Sequence, residues 1–288
     1  MSLPSCVAES RCLLGEGPLW DPDARRLYWF DIKGRRLHWL APGKEAFGTL
    51  ELPARCSAAA LAGGGLVVAS DQGVGLLDPA TGKLDIRLVL EPDRPGNRSN
   101  DGKADPWGNF WVGTMDDAEA QASGALYRID AGWRAERVLD GLRIPNTLAW
   151  SPDGRRMIFA DSGEATLYAF DLEPDSGRLS NRRVFAAGDG GTPDGSAMDA
   201  EGFLWNAQWG AARVVRYAPD GGIDRVVPLP VGNPTSCAFG GDDLATLYVT
   251  SARVGLSEEA LAGQPLAGGV FALDPGVRGL PVGRFGRA

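Results

Sequence analysis

The sequence Asp105-Pro106-Trp107-Gly108-Asn109-Phe110-Trp111-Val112 joins a turn rich in Asp, Pro and Gly to a short, strand-like run of aromatic and branched residues. Asp, Pro and Gly favour tight turns, whereas Phe, Trp and Val favour β-strands. The same order of turn and strand recurs five more times along the 288-residue chain. The other five turns are Asp21-Pro22-Asp23, Gly63-Gly64-Gly65, Ser151-Pro152-Asp153-Gly154, Asp199-Ala200-Glu201-Gly202 and Gly240-Gly241-Asp242-Asp243. A spacing of roughly 40 to 48 residues is typical of four-stranded propeller blades.

A second strand-like segment follows the first in every unit, as in Ala125-Leu126-Tyr127-Arg128 and Val270-Phe271-Ala272-Leu273. Helical periodicity is absent apart from a possible turn near residues 257–261. We therefore predict an all-β, six-bladed β-propeller that spans residues 1–288 as one domain. The alternative, an irregular β-sandwich, does not explain the regular spacing. Residues 5–14 precede the first unit and are expected to complete the last blade, which would remove exposed strand edges where the ring closes.

Composition and charge exclude several classes of protein. The formal net charge is −8 and no basic patch stands out, so we expect no nucleic-acid partner. No run of roughly 18 apolar residues is present, so we expect no membrane span. Residues 1–11 lack the basic and apolar regions of an export signal, and the four cysteines lack C-x-x-C spacing. These features predict a cytoplasmic protein with reduced, buried thiols, and a propeller of this size is expected to be a monomer.

The chain contains a single histidine, His38, within the strand-like run of residues 35–40. One histidine cannot build a zinc site of several imidazoles, and a Ser-His-Asp triad would have to use this one. No G-x-S-x-G sequence accompanies it. We interpret His38 as a structural residue of a strand.

One polar residue recurs at the same place in every unit, four residues before the apolar residue that leads into the turn. These six ring residues are Glu16, Ser57, Asn100, Asn146, Asp194 and Thr235. Equivalent positions on the innermost strands of a propeller lie around its axis, so the six side chains should converge. An all-oxygen set suits a hard cation such as Ca²⁺, Mg²⁺ or Mn²⁺, and Zn²⁺ or Fe²⁺ with added waters. The alternative is that each residue caps the start of a strand.

Taken in order, several motifs across nearly the whole chain resemble the senescence marker protein/gluconolactonase family, which includes regucalcin and bacterial sugar lactonases. The motifs are Leu14-Gly15-Glu16-Gly17-Pro18, Arg98-Ser99-Asn100-Asp101-Gly102-Lys103, Gly113-Thr114-Met115, Trp150-Ser151-Pro152-Asp153-Gly154, Pro193-Asp194-Gly195 and Leu247-Tyr248-Val249-Thr250-Ser251. The chain is most similar to the bacterial aldonolactonases through residues 124–130 and 265–271.

This resemblance implies that Glu16, Asn146 and Asp194 bind one divalent metal ion, in agreement with the ring pattern. It also implies that Arg98 and Asn100 hold the substrate. An acidic residue after Gly113-Thr114-Met115 would contact sugar hydroxyls, and of Asp116, Asp117 and Glu119 we choose Asp117. The chain departs from the family at Thr147, where glycine usually follows the asparagine ligand. A surface salt bridge is the alternative role for Arg98.

The implied activity is hydrolysis of a sugar lactone to the open aldonic acid, with Asp194 as both metal ligand and proton acceptor. The metal, which would be Ca²⁺, Zn²⁺, Mn²⁺, Mg²⁺ or Fe²⁺, would polarise the lactone and activate water. Trp209 could offer a face to the sugar ring or pack within the blades. Three alternatives stay open. They are a propeller esterase or organophosphate hydrolase, a non-catalytic Ca²⁺-binding propeller, and a sugar-binding module without metal.

Overall fold

The computed structural model describes residues 3–44 and 46–286, and these residues form six four-stranded antiparallel sheets. Each sheet is one blade. Blade 1 contains β2 (Gly15–Asp21), β3 (Arg26–Asp31), β4 (Arg36–Leu40) and β5 (Gly48–Glu51). Blade 2 contains β6 (Cys56–Ala62), β7 (Gly65–Ser70), β8 (Gly73–Leu77) and β9 (Leu84–Leu88). Blade 3 contains β10 (Asn97–Ala104), β11 (Phe110–Asp116), β12 (Gly124–Ile129) and β13 (Ala135–Leu142).

The second half of the ring repeats the arrangement. Blade 4 contains β14 (Pro145–Trp150), β15 (Arg156–Asp161), β16 (Thr166–Leu172) and β17 (Leu179–Ala187). Blade 5 contains β18 (Thr192–Met198), β19 (Leu204–Trp209), β20 (Arg213–Tyr217) and β21 (Ile223–Pro228). Blade 6 contains β22 (Pro234–Gly240), β23 (Thr246–Ser251), β24 (Val270–Leu273) and the N-terminal β1 (Ser5–Ala8). The predicted six-bladed propeller is confirmed.

The ring closes through the pairing of β1 with β24. Ser5 lies opposite Ala272 and Cys6 opposite Phe271 in an antiparallel ladder. β1 therefore supplies the outermost strand of blade 6, as residues 5–14 were expected to do. This pairing removes the unpaired edge that β24 would otherwise present at the closure.

Two short helices and the cysteines complete the description. A 3-10 helix, Ser162–Glu164, follows β15, and α1 (Glu258–Gly263) follows β23 at the predicted turn. Ser257 caps α1, because its hydroxyl accepts a hydrogen bond from the Ala260 amide at 3.1 Å.

The cysteines are free thiols, and Cys6 is only half-buried where a buried thiol was expected. Within the described residues, no helix has the length and apolarity needed to cross a membrane.

The blades pack through large apolar side chains. Trp29, Trp111 and Trp205 have no exposed surface, and the strands nearest the axis are more buried than the outer ones. Inner strands of adjacent blades contact one another around the ring. Because each blade buries its faces against two neighbours, the inner strands are held at fixed positions around the axis.

A segment that we call the strap, residues 277–286, crosses one end of the channel. The Gly279 amide donates to the Leu244 carbonyl in blade 6 at 2.9 Å. The Phe285 amide donates to the Leu61 carbonyl in blade 2 at 2.8 Å. The strap lines a largely apolar cavity of about 390 Å³ together with the inner strands. This end also carries the turns between the first two strands of each blade, so the ring residues, near the starts of the inner strands, lie toward the other end.

His38 is a buried strand residue. Its side chain stacks on Trp29 at 5.3 Å between ring centroids, and its Nδ1 lies 2.8 Å from the Thr49 hydroxyl. Burial lowers the pKa of His38 from 6.5 to about 4. The imidazole is therefore neutral in the folded protein at neutral pH, in agreement with a structural role.

This burial predicts a pH-dependent contribution to stability. Because the folded pKa lies below the unfolded one, the contribution is fully present above pH 6.5 and is lost as the pH falls toward 4. Protonation of His38 should lower the free energy of unfolding of the wild type by about 3 kcal/mol between pH 7 and pH 4. We expect His38→Gln to lack this pH-dependent decrease. Urea unfolding of both proteins at the two pH values measures this difference. A stability gap that stays constant with pH would show that folding does not depress the pKa of His38.

Candidate functional site

The six ring residues lie on the six inner strands, one in each blade. In every blade the pairing between the inner strand and its neighbour slips at this position. The slips fall between Glu16 and Leu19, Cys56 and Ala58, Ser99 and Gly102, Asn146 and Ala149, Pro193 and Ser196, and Pro234 and Ser236. Such bulges leave a residue unpaired and re-aim side chains. Sequence reasoning identified the positions but missed the bulges.

Thr147 illustrates the backbone that the bulges require. Its φ is +50°, in the left-handed region that β-branched residues rarely adopt, and Gly17 after Glu16 has a φ of +57°. Thr147 is fully buried, and its hydroxyl bonds the Asp194 carbonyl and lies 2.9 Å from the Ser196 hydroxyl. Glycine adopts this conformation without strain, which accounts for the glycine that the resemblance leads us to expect at this position. The hydrogen bonds tie blade 4 to blade 5 beside Asp194.

Three buried carboxyl groups face one another in the channel: Glu16, Asp101 and Asp194. Burial, followed by the charge of Asp101, raises the pKa of Glu16 to about 8. Burial, followed by the charges of Glu16 and Asp101, raises the pKa of Asp194 well above its usual value. Asp101 Oδ2 has no hydrogen-bond partner among the described residues. Buried carboxylates this close to one another are strongly destabilised without a compensating positive charge.

Lys103 is a buried cation beside this group, and the charge of Arg98 also acts on Glu16. Its Nζ donates to the Ser196 carbonyl at 2.6 Å, and burial lowers its pKa against the opposing charge of Asp101. One ammonium group does not balance three carboxyl groups. Asp101 and Lys103 were not among the predicted site residues, although both lie in the Arg98–Lys103 motif that indicated the family.

Hydrogen bonds fix the orientation of the Asn146 amide. Asn146 Oδ1 accepts from Asn100 Nδ2 at 3.1 Å, and Asn146 Nδ2 donates to the Ser162 hydroxyl at 2.8 Å. Ser162 in turn donates to the Pro193 carbonyl at 2.6 Å. An amide oxygen has two lone pairs, so Oδ1 keeps acceptor capacity for a further partner.

The predicted substrate residues lie together. Arg98 donates from Nε to Asp117 Oδ1 at 2.8 Å and from Nη1 to Asn100 Oδ1 at 2.9 Å. The Arg98 side chain is only 6% exposed, so its ion pair with Asp117 is not a surface salt bridge. Among the three candidate acids, Asp116 instead accepts hydrogen bonds from the backbone of its own loop, and Glu119 is exposed.

Ser57 and Thr235, the remaining ring residues, form hydrogen bonds between blades, and Trp209 packs against apolar side chains. The Ser57 hydroxyl donates to the Ser99 hydroxyl at 2.8 Å, and the Thr235 hydroxyl donates to the Gly15 carbonyl at 2.6 Å. Both bonds join neighbouring blades, so these two hydroxyls hold adjacent inner strands together. Trp209 is half-buried and packs against the cluster that contains Ile32.

The donor set fits a hard divalent cation. Within residues 3–44 and 46–286, no three His, Cys, Asp or Glu side chains are placed to hold a metal ion together. The predicted set of Glu16, Asn146 and Asp194 needs no such triad, because it combines two carboxylates with an amide. Its oxygens are buried and belong to two carboxyl groups and one amide, which are ligands that Ca²⁺, Mg²⁺ and Mn²⁺ prefer.

The propeller and its polar ring match a known class of proteins. The family model described as the SMP-30/gluconolactonase/LRE-like region matches residues 14–253. The chain belongs to this family, as its motifs indicated.

Several family members are similar over nearly their full length. The 6-deoxy-6-sulfogluconolactonase of Pseudomonas putida is 42% identical, with 95% of each chain covered. The L-arabinolactonase of Azospirillum brasilense is 38% identical, covering 97% of this chain and 94% of the relative. A crystal structure of regucalcin from Agrobacterium tumefaciens, described as a calcium-binding protein, has a TM-score of 0.90 and 37% identity, covering 98% of this chain and 95% of the other. The predicted enzyme class, a lactonase, is confirmed by the similarity to the two lactonases.

Proposed function

We propose that this protein hydrolyses a sugar lactone to the open aldonic acid with the help of one divalent metal ion. The observation that carries the proposal is the position of Glu16 and Asp194, two buried carboxyl groups of the ring. Asn100 of the same ring accepts a hydrogen bond from Arg98, which also pairs with Asp117. Lactonases among the relatives support the same reaction class.

In this proposal Glu16, Asn146 and Asp194 would hold the ion. A divalent ion in such a site supplies polarisation of the ester carbonyl and stabilisation of negative charge on oxygen. Ca²⁺, Zn²⁺, Mn²⁺, Mg²⁺ and Fe²⁺ are the candidates, and the calcium-binding description of the Agrobacterium relative supports Ca²⁺.

The protein side chains would perform three tasks. Arg98 would donate hydrogen bonds to substrate oxygens, whereas Asn100, whose amide donates to the Pro145 carbonyl and to Asn146, would accept one at its oxygen, and Asp117 would accept them from sugar hydroxyls. Asp194 would take a proton from the attacking water as its oxygen adds to the carbonyl carbon, and the proton would pass to the ring oxygen as the ring C–O bond breaks. A cation lowers the pKa of a nearby carboxyl group, so Asp194 would be ionised at neutral pH and able to accept that proton.

We expect chelation to abolish lactone hydrolysis. Because a bound ion contributes several kcal/mol to stabilising the transition state, turnover should fall at least about 100-fold on metal removal. The assay follows acid release from gluconolactone, xylonolactone, arabinonolactone and 6-deoxy-6-sulfogluconolactone with a pH indicator, with spontaneous opening subtracted. Each of the five ions is then added separately to the metal-free protein. At least one of them should restore turnover.

Other outcomes of this assay point to the alternatives. Faster turnover of phenyl acetate or an organophosphate than of any lactone indicates a propeller esterase. Calcium binding without any turnover indicates a non-catalytic propeller. Sugar binding that survives chelation indicates a sugar-binding module and contradicts the proposed metal role.

A further inference from the structure

We infer that Arg55 is a positioning residue for substrate recognition, because it holds the Asp117 carboxylate against Arg98. The inference rests on the proposed function, in which Asp117 contacts the sugar. Asp117 lies in the substrate loop, residues 117–123 between β11 and β12. Arg55 belongs to a different blade and precedes β6, 62 residues before Asp117 in the chain.

Arg55 is anchored within blade 2 at both its backbone and its side chain. Its amide donates to Asp71 Oδ1 at 3.1 Å, and its Nε donates to Asp71 Oδ2 at 2.8 Å. The Asp71 amide donates back to the Arg55 carbonyl at 3.2 Å. These three bonds fix the start of the side chain, so its terminal nitrogens point in a defined direction.

The far end of Arg55 reaches across to blade 3. Arg55 Nη1 donates to Asp117 Oδ2 at 2.8 Å, while Arg98 Nε donates to Asp117 Oδ1 at 2.8 Å. Each carboxylate oxygen is therefore held by a different arginine. Burial alone would raise the pKa of Asp117, but the hydrogen bond and charge of Arg55, with the charge of Arg98, outweigh it and lower the pKa.

Apart from these two arginines, hydrogen bonds of the loop backbone to Asp116 at the end of β11 and one backbone bond to the residue before β10 hold the start of the loop. The Asp117 amide donates to the Gly96 carbonyl at 3.0 Å. The end of the loop is fixed separately, because the Ser123 hydroxyl donates to Asn97 at 2.7 Å. Loss of Arg55 would leave the Asp117 carboxylate held by Arg98 alone. Arg98 also donates hydrogen bonds to Asn100 and to the Ser99 carbonyl.

Exposure indicates what kind of effect follows. The Arg55 and Asp117 side chains are 27% and 40% exposed, so their ion pair contributes little to global stability. Its consequence is orientation of the carboxylate that would accept hydrogen bonds from the sugar. We therefore expect Arg55→Gln to raise KM by about threefold to tenfold and to leave kcat within about twofold.

Kinetics of metal-loaded variants test the role in recognition. Arg55→Lys should have a KM between those of the wild type and Arg55→Gln. One ammonium group can reach either Asp71 or Asp117 but cannot contact both as the guanidinium group does. Arg284→Gln is the matched control, since Arg284 is also 27% exposed and pairs with one aspartate, Asp23, at the strap end. It should keep wild-type KM. On an Asp117→Asn background, Arg55→Gln should change KM no further, whereas a merely structural loss would persist.

Hydrogen–deuterium exchange of the substrate loop gives a readout that needs no activity. Faster exchange in residues 117–121 of Arg55→Gln, together with the raised KM, is the expected result. Faster exchange with an unchanged KM, or no change in either, overturns the inference. If the wild-type protein hydrolyses no lactone, the proposed function and the recognition role fall together, and exchange alone decides whether Arg55 positions the loop.

Discussion

Replacing Asp194 by Asn is expected to lower kcat for lactone hydrolysis by about 100-fold to 10,000-fold. The substitution keeps the size of the side chain and removes both the negative charge and the proton acceptor. It also removes one of the three mutually repelling carboxyl groups in the channel, so the metal-free variant should be at least as stable as the wild type. Lost activity with retained stability would separate a chemical role from a folding role.

The measurement is kcat with saturating metal, together with a calorimetric titration of the ion. Asp171→Asn serves as a control, because Asp171 lies on β16 far out in blade 4 and pairs with Arg183 at the surface. The control should retain wild-type turnover. Asp194→Asn with a wild-type rate would contradict the assignment of Asp194 as proton acceptor and ligand.

Replacing Asp199 by Ala is expected to destabilise the fold by about 3 to 5 kcal/mol. Asp199 is fully buried and accepts hydrogen bonds from Trp205 Nε1 at 3.0 Å and from Arg216 Nη2 at 2.7 Å. It also accepts from the Phe203 amide at 2.9 Å. Its loss leaves the Trp205 indole and part of the buried Arg216 guanidinium without a partner.

Asp105→Ala provides a matched comparison for this stability effect. Asp105 occupies the equivalent turn of blade 3, is as deeply buried, and binds Trp111 Nε1 at 2.8 Å with Asn109 in place of the arginine. We expect its loss to cost about 1 to 2 kcal/mol less, since only neutral donors are left unpaired. Urea unfolding measures both. Equal losses would show that Arg216 finds sufficient compensation from Glu201 and Asp224.

The propeller and the ring positions could be predicted because both repeat. Asp105 and Asp199 begin equivalent turns and accept from equivalent tryptophans, so one local hydrogen-bond pattern recurs in the sequence. Glu16, Asn146 and Asp194 were placed on inner strands by spacing alone. Periodic features of this kind need no knowledge of long-range contacts.

The features that escaped prediction are those that occur once. Asp117 was chosen over Asp116 without support from the spacing, because the path of the loop decides which carboxylate reaches Arg98. The contact of Arg55 with Asp117 joins two blades and has no counterpart in the repeat. The strap likewise follows the last unit and matches no earlier segment. Such contacts follow from packing of distant segments, to which local patterns are blind.

The pairing of β1 with β24 also sets an order of events during synthesis. Ser5 is synthesised well before its partner Ala272, which is separated from it by 267 positions. The N-terminal strand must therefore wait without its partner while five complete blades are translated. During that time the nascent chain carries an unpaired strand ahead of a growing row of blades. Translation speed and chaperone access over this interval should affect the yield of this propeller more than they affect folds whose neighbouring segments pair as they emerge.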